Sequence, residues 1–549
     1  GADVTLIVKG TFASIGIRGA GSTAGGISDR GGPTFPGAPN IQGFDPKGKP
    51  LLTPEEDFEN IIQLGLGMTD RKLAQILAEQ AYETMQPFLD DWSGEIIPRQ
   101  YGMKSHGIPI MVALTRLIKL SNIRIIDHTM VVDLLHADNQ INGAIAVDEY
   151  SGAVTVIEAG AVILGTGGAG GLFKHSLASP WTTGDGYAMA YKAGAELMNL
   201  EFKQVFPGVI HPTINHFSAW FFVPHVKITN ALGDEYIHKY LPDGIKLDDV
   251  YKQRSQHGPF SARDSASRYF DVASLIETKN GRANENDALY VDLTDPKVVD
   301  PLVKPRHDYF YYRGIRYLEQ PIEFNICFHC SNGGIYIDEN AQSSVKGLYA
   351  AGEAASGPHG ANRMGGHMLT ASQVFGKIAA MHATKNTVGK TKPKPSQKQI
   401  KQIINEISAL KALRKSHKPS TLKRKLKKLT WENTLVHINE ELLNQSRNEI
   451  NDIKQNLLPQ INIETPKDLI DALEMNNLIL LAGILTDVTQ TRKESRGDLY
   501  REDYPQRDDK NYMKVIKVNQ GDDGPHLRTE IIDPDWKPRG KDMEGIHWG

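Results

Sequence analysis

Two kinds of hydrophobic pattern alternate along the 549-residue chain. Apolar residues recur at helical spacing over residues 55–91 and again over residues 399–485. Residues 123–164 instead form short β-rich runs, and the segment 148–152 is typical of a hairpin turn between two of them. The pattern therefore predicts an α/β protein in which strands and helices are followed by a separate helical region.

One strand-like run leads into a loop with unusual chemistry. Residues 347–351 are mostly apolar, and residues 352–366 then combine the carboxylate of Glu353, the guanidinium of Arg363 and closely spaced glycines. A carboxylate at the carboxyl end of a strand can accept a hydrogen bond from a ribityl or ribose hydroxyl group. Glycine residues have no side chain, so a cofactor can come close to their backbone. The loop therefore suggests a flavin site with an anion-binding arginine beside it.

A second glycine-rich stretch needs a different interpretation. Residues 165–170 satisfy the pattern G-x-G-x-x-G, follow the apolar residues 161–164, and have Asp185 twenty residues beyond the first glycine. However, residues 171–183 contain Pro180 and lack helical periodicity. We therefore predict a glycine turn at a strand end rather than a dinucleotide fingerprint followed by a crossover helix.

Composition excludes some classes of function. The length predicts two to four domains, and a net charge of −3 gives no reason to expect nucleic-acid binding. No uninterrupted apolar run approaches the roughly 20 residues that cross a bilayer, and the N-terminus lacks the order of a secretory signal. We expect a cytoplasmic protein without a direct membrane span, or one that is peripheral on the cytoplasmic face of a membrane complex.

The basic stretch 423–428 is either a solvated helix face or a surface for an acidic partner.

The sequence contains two cysteines, Cys327 and Cys330, on either side of Phe328 and His329. Such a pair can be a redox dithiol or half of a metal site, but no second pair is present to complete a four-cysteine set. We therefore expect two reduced cysteines and assign no metal site.

The loop 352–366 resembles the flavoprotein subunits of the succinate dehydrogenase and fumarate reductase superfamily. This superfamily also contains L-aspartate oxidase and the alpha subunit of adenylylsulfate reductase. Further segments carry the resemblance in the order found in the family, namely residues 22–27, residues 183–196, Arg263 with Asp264, and residues 492–505.

The resemblance implies a Rossmann-like FAD-binding domain with an inserted α+β capping domain and a C-terminal helical domain. We expect these boundaries: FAD-binding domain 1–205 and 329–385, capping or substrate domain 206–328, helical domain 397–490 and polar C-terminal tail 491–549. The opening residues 1–9 resemble the second strand of the FAD-binding domain. The first strand and its glycine turn are missing either because the sequence is truncated or because this protein has lost that phosphate-binding turn, and we expect truncation.

The cofactor implied by the resemblance is FAD. Dehydrogenases of the family attach it to a histidine just before the segment that matches Ser22, and no histidine stands there in this chain. We therefore expect non-covalent FAD. The implied cofactor-binding residues are Lys9, Ser22, Thr23, Gly25, Gly26, Thr166, Gly167, Asp185, Glu353, Arg363 and Leu369.

Flavin-linked oxidation or reduction beside an acidic carbon needs an acid or base for the proton and cations for the substrate anion. The resemblance gives the proton shuttle to Arg263 and substrate binding to His329 and Arg363. Plainer roles remain open for each of them: a surface ion pair of Arg263 with Asp264, a merely buried His329, and a structural Arg363.

Two departures from the dicarboxylate enzymes make succinate and fumarate doubtful substrates. Those enzymes have Phe-His-Pro-Thr after Glu-Phe-x-Gln, whereas this chain has residues 205–208 without the histidine and threonine. They also have a Thr-Glu pair where Ser218 and Ala219 stand. A local insertion that brings His211 into register would restore part of the match.

Residues 219–221 and 229–236 instead resemble the corresponding segment of adenylylsulfate reductase alpha subunits. Trp220 either stacks on a planar substrate or belongs to the domain core. The sequence thus predicts an FAD-dependent oxidoreductase subunit that transfers hydride between FAD and a small anionic substrate. An iron-sulfur protein subunit is the expected electron partner, because two cysteines cannot hold a cluster. The alternatives are a self-contained enzyme like L-aspartate oxidase, an alpha subunit like that of adenylylsulfate reductase, and a non-enzymatic flavin-binding subunit.

Overall fold

The computed structural model describes residues 2–12, 53–91, 97–99, 102–104, 107–216, 226–254, 266–295, 311, 313–364, 367–390 and 394–538. Within these ranges the strands are β1 (Thr5–Ile7), β2 (Ile97–Arg99), β3 (Gly102–Lys104), β4 (Arg124–Ile126), β5 (Thr129–Ala137), β6 (Gln140–Asp148), β7 (Val154–Glu158), β8 (Val162–Leu164), β9 (Leu197–Met198), β10 (Lys203–Val209), β11 (Asn215–His216), β12 (Lys227–Thr229), β13 (Leu289–Asp292), β14 (Ile322–Ser331), β15 (Gly334–Tyr336), β16 (Leu348–Ala350), β17 (Ala355–Ser356), β18 (Val515–Gly521) and β19 (Gly524–Glu530).

The α-helices of the same ranges are α1 (Pro54–Gly65), α2 (Arg71–Asp91), α3 (Gly107–Leu120), α4 (Asp185–Lys192), α5 (Leu247–Arg254), α6 (Arg268–Glu277), α7 (His367–Thr387), α8 (Gln397–Lys411), α9 (Pro419–Thr434), α10 (Glu440–Asp452), α11 (Pro466–Thr491) and α12 (Asp509–Tyr512). The mixture of parallel strands, antiparallel sheets and a helical region confirms the predicted α/β class.

The helical pattern of residues 55–91 becomes two helices rather than one. Thr53 caps the start of α1 and forms a reciprocal capping box with Glu56. The helix ends where Leu66 and Gly67 adopt left-handed conformations, with φ of 52° and 78°. Because left-handed residues cannot continue a right-handed helix, the chain turns before α2 begins.

Two parallel strand pairs carry the region expected to bind the cofactor. Strand β1 pairs with β4, and β8 pairs with β16. The predicted hairpin is formed by β6 and β7, joined by a turn with Gly152 at φ 67°. The glycine turn after β8 leads into one short 3₁₀ turn and then irregular chain until α4. This confirms that no long crossover helix follows it.

Strands β10 and β14 form the centre of an antiparallel sheet of order β11-β10-β14-β13-β12. The expected boundaries of the capping domain, at residues 205/206 and 328/329, fall inside these two strands. The same pair therefore extends from one expected domain into the other. Its register shifts at one point, between Gln204 and Val205.

The segment expected to be a polar tail contains ordered structure. Strands β18 and β19 form a hairpin, and β18 pairs with β9, with Lys517 opposite Met198. The hairpin is thereby part of the sheet of order β17-β15-β9-β18-β19. Hydrogen bonding to a strand more than 300 residues earlier in the sequence makes this segment a part of the fold.

Helix α11 is the central helix of the C-terminal helical region and packs against α9 and α10. A capping box of Thr465 and Asp468 starts it. By length and composition it resembles a membrane span, but 78% of its most apolar window is buried inside the protein. The basic stretch lies on α9, where Lys425 and Lys428 are exposed and Lys423 is largely buried against α11.

A ladder of buried charges attaches the C-terminal segment to Glu201, just before β10, and to the end of α1. Arg492 donates to Glu201 and Glu494, each at 2.8 Å, and Arg496 binds both oxygens of Glu494 at 2.7 and 2.9 Å. These four side chains are at most 1% exposed. Arg496 also donates to the carbonyl of Leu66 at 2.8 Å, at the end of α1. The ladder therefore joins parts of the chain that are far apart in sequence.

We predict that Glu494→Gln lowers the free energy of unfolding by about 3–5 kcal/mol, because two buried guanidinium groups lose a shared carboxylate. Urea denaturation measures the change. The matched control is Glu339→Gln, which removes an exposed pair with Lys72 at 3.7 Å and should cost no more than about 1 kcal/mol. Equal losses in the two variants would contradict the importance of the ladder.

Candidate functional site

The predicted cofactor residues collect at one edge of the parallel strands β8 and β16. These strands are in register from Val162 opposite Leu348 to Leu164 opposite Ala350. Thr166 follows β8 and Glu353 follows β16, so both come after the carboxyl ends of adjacent strands. Ligands of α/β sheets bind outside such ends. The topology therefore supports the predicted cofactor site at this edge.

Glu353 is held at the edge by backbone groups. Its Oε1 accepts the Ser331 N–H at 2.9 Å, and its own carbonyl accepts the Tyr187 hydroxyl at 2.5 Å. Burial raises the pKa of Glu353 to about 7, although the Ser331 and Gly168 N–H groups and the Arg363 guanidinium favour the ionised form. Burial thus outweighs these favourable interactions, and a further hydrogen-bond donor from a ligand would favour the ionised form.

The glycine turn after β8 gives the site a bare backbone wall. A Cβ on Gly168 would lie 2.3 Å from Oε1 of Glu353, whereas a Cβ on Gly165 would meet no atom within 4 Å. Gly167 has φ of 70°, a conformation that favours glycine, and Thr166 is exposed. The turn thus packs closely on Glu353 at Gly168 and leaves open space at Gly165. This arrangement fits the flavin implied by the sequence. The carboxylate of Glu353 would accept a hydrogen bond from one of the hydroxyl groups of the cofactor.

Lys9 and Asp185 lie together beside this turn. The Lys9 ammonium is 2.5 Å from both Asp185 and the Thr183 hydroxyl and 2.8 Å from Glu474. A Cβ on Gly186 would lie 2.0 Å from the Thr166 hydroxyl, so Asp185 and Thr166 are close neighbours. The structure therefore brings three predicted cofactor residues together, and it directs the Lys9 ammonium to protein side chains.

Leu369 lies in the first turn of α7, where it is half-buried. Ser372, one turn later, packs so closely on Gly352 that a Cβ there would be 2.7 Å from its hydroxyl. The N-terminal end of α7 is thereby adjacent to the segment that carries Glu353. Free N–H groups at a helix N-terminus favour negatively polarised atoms of a ligand.

Arg363 is buried and held by neutral oxygens. Its Nε and Nη2 donate to the Gln204 amide oxygen at 3.0 and 2.6 Å, and its Nη1 donates to the Met364 carbonyl at 2.9 Å. The Gln204 amide nitrogen donates in return to the Arg363 carbonyl at 2.9 Å. Among the described residues, the hydrogen-bond acceptors of this guanidinium are thus uncharged. Its positive charge is available to an anion.

His329 and Cys330 are neighbours on β14 and therefore point to different sides of the strand. The His329 ring packs edge-on against Phe206 at 4.7 Å, and the Cys330 thiol lies 3.3 Å from the Gln204 amide oxygen. Burial raises the pKa of Cys330 to about 12. Cys327 and Cys330 are both free and buried, as expected for reduced cysteines. The described residues contain no cluster of three or more histidines, cysteines and carboxylates suited to a metal.

The loop that carries Arg363 is packed backbone to backbone between α1 and the C-terminal segment. Ala361 donates to the Gly65 carbonyl at 3.0 Å and accepts from the Asp498 N–H at 3.0 Å. A Cβ on Gly360 would lie 2.7 Å from Cα of Gly65, and one on Gly497 would lie 2.2 Å from the Ala361 carbonyl. The position of Arg363 therefore depends on both neighbours.

Sequence reasoning assigned no role to two residues of this site, Gln204 and His359. Gln204 stands in the Glu-Phe-x-Gln segment, so its place in a motif was the available signal. His359 is 3% exposed, and burial lowers the pKa of its imidazole well below the usual range, with Arg363 and His367 adding to the effect. Its Nε2 has no hydrogen-bond partner among the described residues.

Several predicted residues lie outside the described part of the chain. They are Ser22, Thr23, Gly25, Gly26 and Arg263, together with Ser218, Ala219 and Trp220. His211, considered for a shifted register, lies beyond β10, and its side chain is 54% exposed and pairs with Glu323 at 3.5 Å. Phe206, rather than His211, therefore packs against His329.

The chain matches two family profiles. The one described as FAD binding domain matches residues 53–369, more than half of the chain, and the one described as fumarate reductase flavoprotein C-term matches residues 423–541. Among curated proteins, it is 27% identical over 487 residues to one of the subunits of the fumarate reductase (CoM/CoB) of Methanothermobacter marburgensis. That alignment covers 83% of this chain and 85% of the relative.

Solved structures share the fold at low identity. A variant of E. coli quinol fumarate reductase FrdA has a TM-score of 0.76 at 21% identity and 98% coverage of both chains. Adenylylsulfate reductase from Archaeoglobus fulgidus has a TM-score of 0.67 at 18% identity and 97% coverage of both chains. These similarities confirm the predicted fold, and the family profile confirms FAD as the cofactor of this class of protein.

We predict that Glu353 makes the FAD-free protein less stable as pH rises from about 4.5 to 7. A carboxyl group whose folded pKa lies above its unfolded pKa binds more protons when folded, so deprotonation in this range favours unfolding. Glu353→Gln should flatten this slope, measured by urea denaturation across the range. The exposed Glu339→Gln should leave it unchanged, and parallel pH profiles for wild type and Glu353→Gln would contradict the assignment.

Proposed function

The chain belongs to the family of FAD-dependent flavoprotein subunits of fumarate reductase and succinate dehydrogenase, and we propose that it transfers hydride between FAD and a small anionic substrate. When bound, FAD supplies the hydride donor or acceptor. The observation that carries the proposal is Arg363, a buried guanidinium whose described acceptors are neutral, beside the predicted cofactor carboxylate Glu353.

In this proposal Arg363 binds the substrate anion. The Gln204 amide fixes the guanidinium in one orientation without neutralising it. A planar guanidinium presents parallel N–H donors that match a carboxylate or a similar oxyanion. Among the described residues, no carboxylate is hydrogen-bonded to Arg363, so the guanidinium can compensate the negative charge of the substrate.

In this proposal Arg263 transfers the substrate proton, and His329 makes a second contact with the substrate. Arginine has an ordinary pKa of about 12.5 or above, so it can act only when a neighbouring group supplies or removes its proton. His329 is half-buried on β14, next to Cys330, whose strand partner is the Gln204 that orients Arg363. Since Cys330 lies against Gln204 and the adjacent residue, His329, points to the other side of β14, the role of His329 rests on the family resemblance.

The substrate that we propose is not a four-carbon dicarboxylate. Phe206 occupies the position against His329 where the dicarboxylate enzymes have a polar residue in the expected register. A site that lacks the polar partners of a second carboxylate leaves that group desolvated and unpaired, at a high cost in affinity. Because the relative from Methanothermobacter is named as a fumarate reductase, fumarate is the first substrate to test.

We propose an iron-sulfur protein as the electron partner. The sequence contains two cysteines, both buried in β14, and clusters of this kind are held by four ligands. The proposal includes a cytoplasmic location, or a peripheral one on the cytoplasmic face of a membrane complex. Co-purification with an iron-sulfur protein would separate this function from that of a self-contained oxidase like L-aspartate oxidase.

FAD is expected to be non-covalent, so acid precipitation should leave the yellow colour in solution rather than in the protein pellet.

The proposed function predicts that a small anionic compound other than succinate bleaches the bound flavin, or that its oxidised counterpart reoxidises it. The measurement is a screen of anionic compounds by flavin absorbance under anaerobic conditions. Succinate and fumarate should react more slowly than the roughly 1 to 10³ per second typical of enzymes. Turnover of either within that range would overturn the proposed substrate class.

Arg263→Lys is expected to lower turnover by at least about 10²-fold, the contribution of a positioned acid or base. Lysine keeps the charge but is a compact donor on a flexible stem. Flavin content and melting temperature should remain near those of the wild type. Arg363→Lys is the comparison variant and should act mainly on substrate affinity, seen as a higher KM. Normal turnover by a folded, FAD-loaded Arg263→Lys protein would leave His329 as the better candidate.

A further inference from the structure

A buried cluster of charges connects the helical region to the predicted cofactor residues Lys9 and Asp185. Glu474 on α11 accepts a hydrogen bond from Lys9 at 2.8 Å with one carboxylate oxygen and pairs with Lys423 through the other. Lys423 also pairs with Asp471 at 3.1 Å. The side chains of Lys9, Asp185 and Glu474 are 11%, 10% and 5% exposed. The cluster is therefore shielded from water, where ion pairs depend strongly on geometry.

The same face of α11 makes two more contacts with this turn. Asn477 donates to the second oxygen of Asp185 at 2.9 Å. Leu481 packs on Gly184, where a Cβ would lie 2.3 Å from its methyl carbon. Residues 474, 477 and 481 follow the i, i+3, i+7 spacing that places side chains on one face of a helix. Helix α11 thus contacts the turn 183–185 and its partner Lys9 through three successive side chains.

Glu474 holds the centre of this arrangement because it is shared by two cations. Burial raises the pKa of its carboxyl group, but the neighbouring Lys9 and Lys423 lower it more, to about 2. Glu474 is therefore ionised at neutral pH. Without its charge, Lys9 would keep Asp185 as its carboxylate partner and Lys423 would keep Asp471. Of its described partners, only Asp185 and Thr183 would then hold the Lys9 ammonium, and because the lysine stem is flexible its position would be less well fixed.

We propose that Glu474 is a positioning residue for FAD, which fixes Lys9 and Asp185 in the geometry that the cofactor requires. The helical region is then part of the FAD site through α11, although Glu474 itself need not touch the cofactor. This inference rests on the assignment of Lys9 and Asp185 to that site. It goes beyond the assignment by making FAD affinity depend on a residue nearly 300 positions away from Asp185 in the sequence.

A purely structural role for Glu474 makes a different prediction from the positioning role. Loss of a structural contact lowers the stability of the FAD-free protein and leaves the affinity of the folded protein for FAD unchanged. Asp471 offers a matched control, because it lies one helical turn before Glu474 and pairs with Lys423 and Lys467, each at 3.1 Å. Both carboxylates share Lys423, whereas Glu474 also bonds Lys9.

The experiment titrates FAD into the FAD-depleted protein and measures its Kd by fluorescence, with the melting temperature of each depleted protein recorded alongside. Glu474→Gln should raise the Kd for FAD at least tenfold, while Asp471→Asn should keep it within twofold of the wild type. Lys9→Met should also raise the Kd. The Kd of the double variant Lys9→Met/Glu474→Gln should be no higher than the larger Kd of the two single variants, because both substitutions disrupt the same arrangement.

If Glu474→Gln does not fold, Glu474→Gln/Lys423→Met removes one anion and one cation and should still raise the Kd at least tenfold. A wild-type Kd in a folded Glu474 variant, with a raised Kd for Lys9→Met, would overturn the positioning role and leave Lys9 in the site. A wild-type Kd for both would overturn it together with the assignment of Lys9. Equal increases in Glu474→Gln and Asp471→Asn would also overturn it, in favour of a general loss of packing.

Discussion

The arrangement of the site depends on a close approach of three backbone segments around Ala361. The loop 357–364 is packed against the end of α1 at Gly65 and against the turn that contains Gly497. At Gly360 and Gly497 a Cβ would come closer than 3 Å to neighbouring backbone atoms. Side chains at these positions would therefore push the segments apart. Because Arg363 follows directly on this contact, its position is determined by glycine packing as much as by its own hydrogen bonds.

Buried charges hold the more distant segments in place around that contact. The ladder from Glu201 to Arg496 attaches the C-terminal segment, and the cluster around Glu474 attaches the helical region. Buried ion pairs gain little net stability over apolar packing, but a misplaced partner leaves a charge unpaired in the interior at a high cost. Such pairs therefore select one docking geometry, which is the property that a site assembled from distant segments needs.

Local patterns predicted the elements of the fold well, and long-range pairing explains what they missed. Helical spacing identified the regions that became α1, α2 and the C-terminal helices, and residues 348–350 form the predicted strand before Glu353. In contrast, the polarity of residues 491–549 indicated a tail, because charged residues are usually solvated. The burial of Arg492 follows from its partner Glu201, which no local window contains. Gln204 was missed for the same reason, since its role appears only beside Arg363.

A comparison of four buried arginines supports the proposed role of Arg363 in substrate binding. Arg492 and Arg496 pair with Glu201 and Glu494, and Arg501 pairs with Asp503 and Glu440. Each of these guanidinium groups is neutralised by carboxylates and serves the fold. Arg363 is buried to a similar degree, yet its described acceptors are an amide and a backbone carbonyl. Among the described carboxyl groups, that of Glu353 interacts with the Arg363 charge, but burial raises the pKa of Glu353 to about 7. A buried cation is costly unless an anion compensates it, which supports our proposal that a substrate anion binds beside Arg363.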